Sequence, residues 1–164
     1  MSRSTNGADD TTNASSVPVP GAAQAGPISH AIFRVSRLHR MLAGQLLRRV
    51  GLHIGQELVM MQLWELGAQR QTDLVRLLDS DAATMTRTVQ RLENAGFVRR
   101  RPCPGDRRAV LVEPTPASQA LRQEVERLWA ELEADATAGL TADERTETLR
   151  LLERIEAGLA RATA

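Results

Sequence analysis

At 164 residues the chain holds one ordinary domain, or a small domain with a dimerisation arm, and a multi-domain enzyme is not expected. Its composition, 42% hydrophobic and 25% charged at a net charge of +1, fits a globular protein. No stretch approaches the roughly 18 apolar residues of a membrane span and no secretory signal opens the chain, so no membrane role and a cytoplasmic setting are expected.

Residues 1–27 are rich in Ser, Thr, Asn, Ala, Gly and Pro without hydrophobic period, which predicts a disordered tail. From Ile28 the residues Ile32, Val35, Leu38, Leu42, Leu46 and Val50 recur every three or four positions, predicting a long amphipathic helix stopped by Gly51. A second helix is expected from Gln56 to Leu66, closed by Gly67, and a short third from about Gln71 to Leu78. A fourth should run to Asn94, with Asp81 as its N-cap because a carboxylate there accepts orphan amides at the positive helix end. Beyond Gly96, Phe97 to Arg101 reads as a strand, residues 102–106 as a turn, and Ala109 to Glu113 as the return strand. Pro114 lacks an amide donor and should end that strand. Pro116, at a first helical position, opens a fifth helix to about Ala138, and Thr141 with Glu144 forms a capping box before the last. The expected fold is mainly α with a β-hairpin wing, an α+β winged helix-turn-helix flanked by terminal dimerisation helices.

The near-neutral total conceals segregation. Residues 87–108 contain Arg87, Arg91, Arg99, Arg100, Arg101, Arg107 and Arg108 against only Glu93 and Asp106, whereas residues 119–164 are acidic. Every basic residue is Arg, and the aromatic residues are only Phe33, Trp64, Phe97 and Trp129, too few to stack single-stranded bases. The charge therefore points to duplex phosphates. At about 100° per residue, Met85, Val89 and Leu92 share one side of the fourth helix. Thr84, Arg87 and Arg91 share another, flanked by Ala83 and Gln90. Arg pairs bidentately with guanine, Gln with adenine, and Thr or Ala can touch a thymine methyl, so this face suits the major groove. In the wing, Arg100, Arg101, Arg107 and Arg108 suit the minor groove. Asp106 either orients an arginine through a charge-assisted hydrogen bond or serves the turn alone.

Leu74, the Thr86-Arg87 pair, Arg91-Leu92-Glu93, Gly96-Phe97-Val98, Asp106-Arg107-Arg108 and the closing Leu140-Thr141 to Leu152 segment occur in order. On these residues the chain resembles the MarR family of bacterial transcriptional regulators over about 28–162. It departs from that pattern at Arg70, where a small capping residue is usual, and at Pro114 and Ser118, in place of Leu and Gly. The resemblance implies a homodimer built by the first and last helices, a recognition helix at about 81–94 that includes Thr86, a wing-tip arginine at Arg108, and a repressor relieved by a ligand. The expected organisation is a tail over 1–27 and a single MarR-like domain over 28–164. Within it, 28–50 and 115–162 dimerise and 54–113 read DNA.

Long apolar stripes on terminal helices also call for self-association on physical grounds, and a two-fold dimer predicts a pseudo-palindromic operator. A non-specific architectural DNA-binding dimer and a winged-helix protein-interaction module are the competing readings. Met41, Met60, Met61 and Trp64 line a ligand pocket or simply pack the core; in the resembled family small aromatic or phenolic effectors occupy such a crevice. Cys103, between prolines and near arginines, is either an oxidation sensor or an incidental surface thiol. The family's peroxide-sensing branch places its cysteine in the first helix, where this chain has none. His30 and His39 fall on opposite helix faces, so no metal site is expected. No cofactor is expected, and no Gly-rich phosphate loop, nucleophile elbow or Cys-His pair suggests an enzyme.

Overall fold

The computed structural model describes residues 19–163, with Arg107 and Arg108 described by backbone alone. Residues 1–18 of the anticipated tail therefore lie outside the described residues. Within its remainder, Gly21–Ala25 form a 3-10 helix where a disordered tail was expected. Pro20 lacks only a donor; its carbonyl accepts the Ala23 amide at 2.8 Å and starts the turn.

Six α-helices follow among the described residues: α1 (Pro27–Arg48), α2 (Gln56–Leu66), α3 (Gln71–Leu77), α4 (Ala82–Asn94), α5 (Ser118–Ala136) and α6 (Ala142–Thr163). Three antiparallel strands, β1 (Gln69–Arg70), β2 (Val98–Cys103) and β3 (Asp106–Pro114), are ordered β1-β3-β2. The chain divides into two units between Arg37 and Leu38, and the elements from Gln56 onward and the cavity described below belong to the second. No helix among the described residues is long and apolar enough to cross a membrane.

The core of the second unit gathers stripes from α2, α3, α4, α5 and the wing. Met85, Val89 and Leu92 of α4 meet Val59, Met60 and Leu63 of α2, Leu74 of α3, Val98 and Val112 of the wing, and Leu121 to Leu132 of α5. The expected period of α4 is thus its buried face. After α4 the amides of Gly96 and Phe97 donate to Glu93 and Leu92, a double closure that requires the left-handed φ of +80° at Gly96. It reverses the chain into β2.

Several boundaries differ from expectation. The short β1 was not foreseen; Gln69 pairs with Val112 and Arg70 with Leu111. Arg70 is consequently extended and gives α3 no side-chain cap. The return strand begins at Asp106 and includes Pro114 opposite Val98, so the expected stop at Glu113 is corrected. A strand's last residue needs no donor, and the following Thr115 amide supplies the next bond, to Phe97 O at 3.0 Å. Pro116 lies in a turn before α5 rather than opening it, because the Ser118 and Gln119 amides close tight three-residue steps onto Thr115 and Pro116. The capping box before α6 is present: the Thr141 amide donates to Glu144 at 2.8 Å and the Glu144 amide to Thr141 Oγ1 at 3.3 Å.

Candidate nucleic-acid interface

The turn from α3 to α4 reverses in four residues. It needs one left-handed position, filled by Asp79 at φ +46°, a residue short and polar enough to tolerate it. Asp81 then caps α4: its carboxylate accepts the Thr84 amide at 2.8 Å and the Thr84 hydroxyl at 2.6 Å. The Thr84 hydroxyl bond, with the Thr84 amide, holds the Asp81 carboxyl below the usual aspartate range. Gln71 Nε2 donates to Thr86 Oγ1 at 2.9 Å, and that hydroxyl donates to Ala82 O at 2.8 Å. The Thr86 hydroxyl therefore braces α3 against α4.

Opposite the buried stripe, Ala83, Thr84, Arg87, Gln90 and Arg91 are exposed. Arg87 donates to Thr84 Oγ1 at 3.3 Å, and neither Arg87 nor Arg91 forms an ion pair with a carboxylate of a described residue. Gln90 is less free than its sequence position suggested. Its Nε2 donates to Asn94 at 2.9 Å, and its Oε1 accepts from Arg100 Nη2 at 2.6 Å.

Arg100 was expected as a wing cation facing DNA; instead it braces the wing against α4. Its Nε donates to Glu93 Oε2 at 2.8 Å and its amide to Glu93 Oε1 at 3.1 Å, with the side chain half-buried. The Arg100 hydrogen bond holds the Glu93 carboxyl below the usual range. Strand alternation is the cause: Val98 is buried, so Arg100, two residues on, shares its face, while Arg99 and Arg101 point outward. Both outward arginines pair with Glu113, which lies opposite Arg99 in the ladder; Arg99 Nε lies 3.0 Å and Arg101 Nη2 2.8 Å from its oxygens. Burial pushes the Glu113 carboxyl up, but the Arg99 hydrogen bond and the two guanidinium charges outweigh it, and the net shift is downward. Arg101 remains more than half exposed.

At the wing tip Asp106 is exposed and engaged in an interaction of its own, while the expected contacts Arg107 and Arg108 lie, as side chains, outside the described residues. Between Pro102 and Cys103 the register breaks, and Cys103 pairs with Asp106. Cys103 is only 8% exposed, which overturns its reading as an incidental surface thiol: the bulge turns it inward.

The expected pocket residues separate. Met60 is fully buried in the core, and Met41 is exposed on α1. Met61 and Trp64 do line a cavity of about 470 Å³ between α2 and α5, with Gln62, Glu65, Arg122, Val125, Glu126 and Trp129. The α5 contribution was missed, although residues 122, 125, 126 and 129 carry the helical spacing that would have placed them on one face. Trp64 Nε1 donates to Ser118 Oγ at 3.2 Å, the Ser118 hydroxyl to Thr115 O at 2.7 Å, and the Thr115 hydroxyl to Gly96 O at 2.7 Å. A continuous hydrogen-bonded chain thus links the cavity wall to the end of α4.

A capped helix with outward cations, a tight turn from a shorter helix before it, and an antiparallel wing behind it define a winged helix-turn-helix DNA-binding protein. The MarR family model matches residues 52–110. The multiple antibiotic resistance protein MarR of Salmonella typhimurium is 29% identical over 130 residues, spanning 79% of this chain and 90% of its own. The HTH-type transcriptional regulator PecS of Dickeya dadantii is 35% identical over 85 residues, about half of each chain (52% and 51%). Among solved structures, a MarR variant from E. coli in complex with operator DNA superposes with a TM-score of 0.75 at 26% identity, covering 84% of this chain and 99% of that one. A probable transcriptional regulator from Pseudomonas aeruginosa superposes at 0.73 and 28% identity, covering 80% and 98%. The chain thus carries a MarR-type winged helix-turn-helix over residues 52–110 and is similar to MarR transcriptional regulators over most of its length.

Proposed function

We propose that this protein is a sequence-specific repressor, acting in the cytoplasm as a homodimer on a pseudo-palindromic duplex and released by a small aromatic effector. The observation that carries the reading is the outer face of α4, where Arg87 and Arg91 stand exposed and outside any ion pair among the described residues, opposite a fully buried Met85-Val89-Leu92 stripe. Thr84, Arg87 and Arg91 read the major groove, with Ala83 and the Thr86 methyl beside them. Gln90 joins by exchanging its Arg100 bond for a base. Arg101, Arg107 and Arg108 serve the wing, oriented by Asp106. Residues 54–113 make up this reading part.

Dimerisation through residues 28–50 and 115–162 is supported by apolar side chains left uncovered on each helix. Ile28, Phe33 and Val35 of α1 are exposed, as are Leu149, Leu152 and Leu159 of α6, which buries no residue at all. The effector reading is supported by the α2–α5 cavity and the Trp64-Ser118-Thr115-Gly96 chain, which gives an occupant of that cavity mechanical access to the end of the recognition helix.

Selection of bound duplexes from random oligonucleotides tests the proposal. The expected product is a two-fold site whose half-sites lie one DNA turn or a multiple apart, bound at least ~1,000-fold more tightly than unrelated duplex. With about six phosphates neutralised per dimer, log affinity falls against log salt with a slope of about −5. Equal binding of all duplexes selects the architectural reading, and binding untouched by Arg87→Ala and Arg108→Ala selects the protein-interaction module.

A further inference from the structure

The cavity between α2 and α5 is walled by two indoles and a thioether, and its ionisable groups are unbalanced. Arg122 is engaged by Glu126 on its own helix, Nε to Oε1 at 3.0 Å. Glu65, the third charged group of the lining, forms no ion pair among the described residues. The wall therefore carries one uncompensated negative charge beside Trp64 and Trp129. Indole faces carry negative quadrupole density and attract a cation, most strongly where water is displaced, and the thioether of Met61 adapts to an apolar body of varied shape. An anion would meet two carboxylates and one guanidinium that is already occupied.

We propose that this cavity takes a lipophilic organic cation, an aromatic or alkyl-substituted ammonium whose charge lies toward Glu65 and whose body lies between Trp64 and Trp129. The proposal rests on the reading of the cavity as the effector site and supplies the ligand class that reading leaves open. Phenolates and aromatic carboxylates are the class it disfavours.

Trp64 and Trp129 are the chain's only tryptophans and no tyrosine is present, so intrinsic fluorescence of the full chain reports on this wall alone. The probes are benzyltrimethylammonium, its neutral carbon isostere neopentylbenzene, and benzoate, titrated at fixed ionic strength. Saturable fluorescence change at about tenfold lower concentration for the cation than for either other probe is expected. Glu65→Gln should weaken the cation about three- to tenfold and leave the neutral isostere unchanged. Equal or tighter binding of benzoate, no saturable response to the cation, or cation binding indifferent to Glu65→Gln each overturns the proposal. A parallel titration of the preformed complex with its selected duplex separates this inference from the effector reading. Cation binding without DNA release refutes the effector role and leaves the ligand class standing; release by benzoate but not by the cation refutes the ligand class and leaves the effector role standing.

Discussion

Replacing Arg87 or Arg91 by alanine tests the reading face directly, because the structure separates the folding and binding consequences of each change. Neither guanidinium forms an ion pair with a described residue, and Arg87 adds only a 3.3 Å bond to Thr84 and a weak attraction to Asp81, so both variants should melt close to the parent. Binding should suffer far more. A bidentate base contact supplies about 1–3 kcal/mol of discrimination, about 5- to 150-fold per half-site, and a dimer presents each arginine twice. If the two half-sites are independent, the loss on a full site reaches about 2–6 kcal/mol. Fluorescence anisotropy with the selected duplex at several salt concentrations distinguishes the kinds of contact. Loss of a base contact weakens the selected duplex selectively and leaves the salt slope unchanged, whereas loss of a phosphate contact weakens every duplex and reduces the slope by about 1.8 per dimer. Parental affinity in both Arg87→Ala and Arg91→Ala at every salt concentration would remove α4 from the interface and refute the reasoning.

Three further outcomes follow from the same geometry. Arg100→Met should lower Tm and weaken DNA binding while preserving the parental salt slope, since it severs the Glu93 and Gln90 braces without removing a phosphate contact; a reduced slope would return Arg100 to the interface. Gly96→Ala should lower stability by about 1–2 kcal/mol. A Cβ there meets no atom within 4 Å, so the cost is the positive φ alone, equivalent to about 2–8 °C in Tm by differential scanning calorimetry. With pH, Glu93 and Glu113 have folded pKa values below their unfolded ones, so the stability they contribute is complete above the ordinary glutamate range and is lost as pH falls through it. Glu57 runs oppositely: burial raises its carboxyl, and its Oε2 has no hydrogen-bond partner, so protonation on lowering the pH from neutral favours the fold. In denaturant titrations, the stability of the parent relative to Glu57→Gln should therefore rise as pH is lowered from neutral toward the glutamate range, and a constant difference would show that Glu57 does not titrate there.

The recognition helix was legible because one helix carries two independent signals that agree. Asp81 marks its start by a short-range hydrogen bond, and the 85-89-92 spacing fixes which face is buried, so the positions left over, Thr84, Arg87 and Arg91, are exposed almost by construction. The clearest signal of the wing is its charge, and charge does not say which way a strand residue points. Alternation does. Once Val98 is taken as core, Arg100 must share its face and Arg99 and Arg101 must oppose it, so the four wing arginines were never equivalent. What alternation cannot supply is the partner: Glu93 reaches Arg100 from seven residues away in sequence, and Glu113 reaches Arg99 across the ladder only because the register sets them opposite one another. Cys103 escaped for a related reason, since the bulge after Pro102 resets the alternation that would otherwise place it. The same division explains the cavity, whose α2 wall was visible as Met61 and Trp64 while its α5 wall depends on helix–helix packing between residues more than fifty positions apart. The arginine run thus interleaves two environments: Arg87 and Arg91 stand exposed outside any ion pair among the described residues, and Arg100 ties the helix that carries them to the wing.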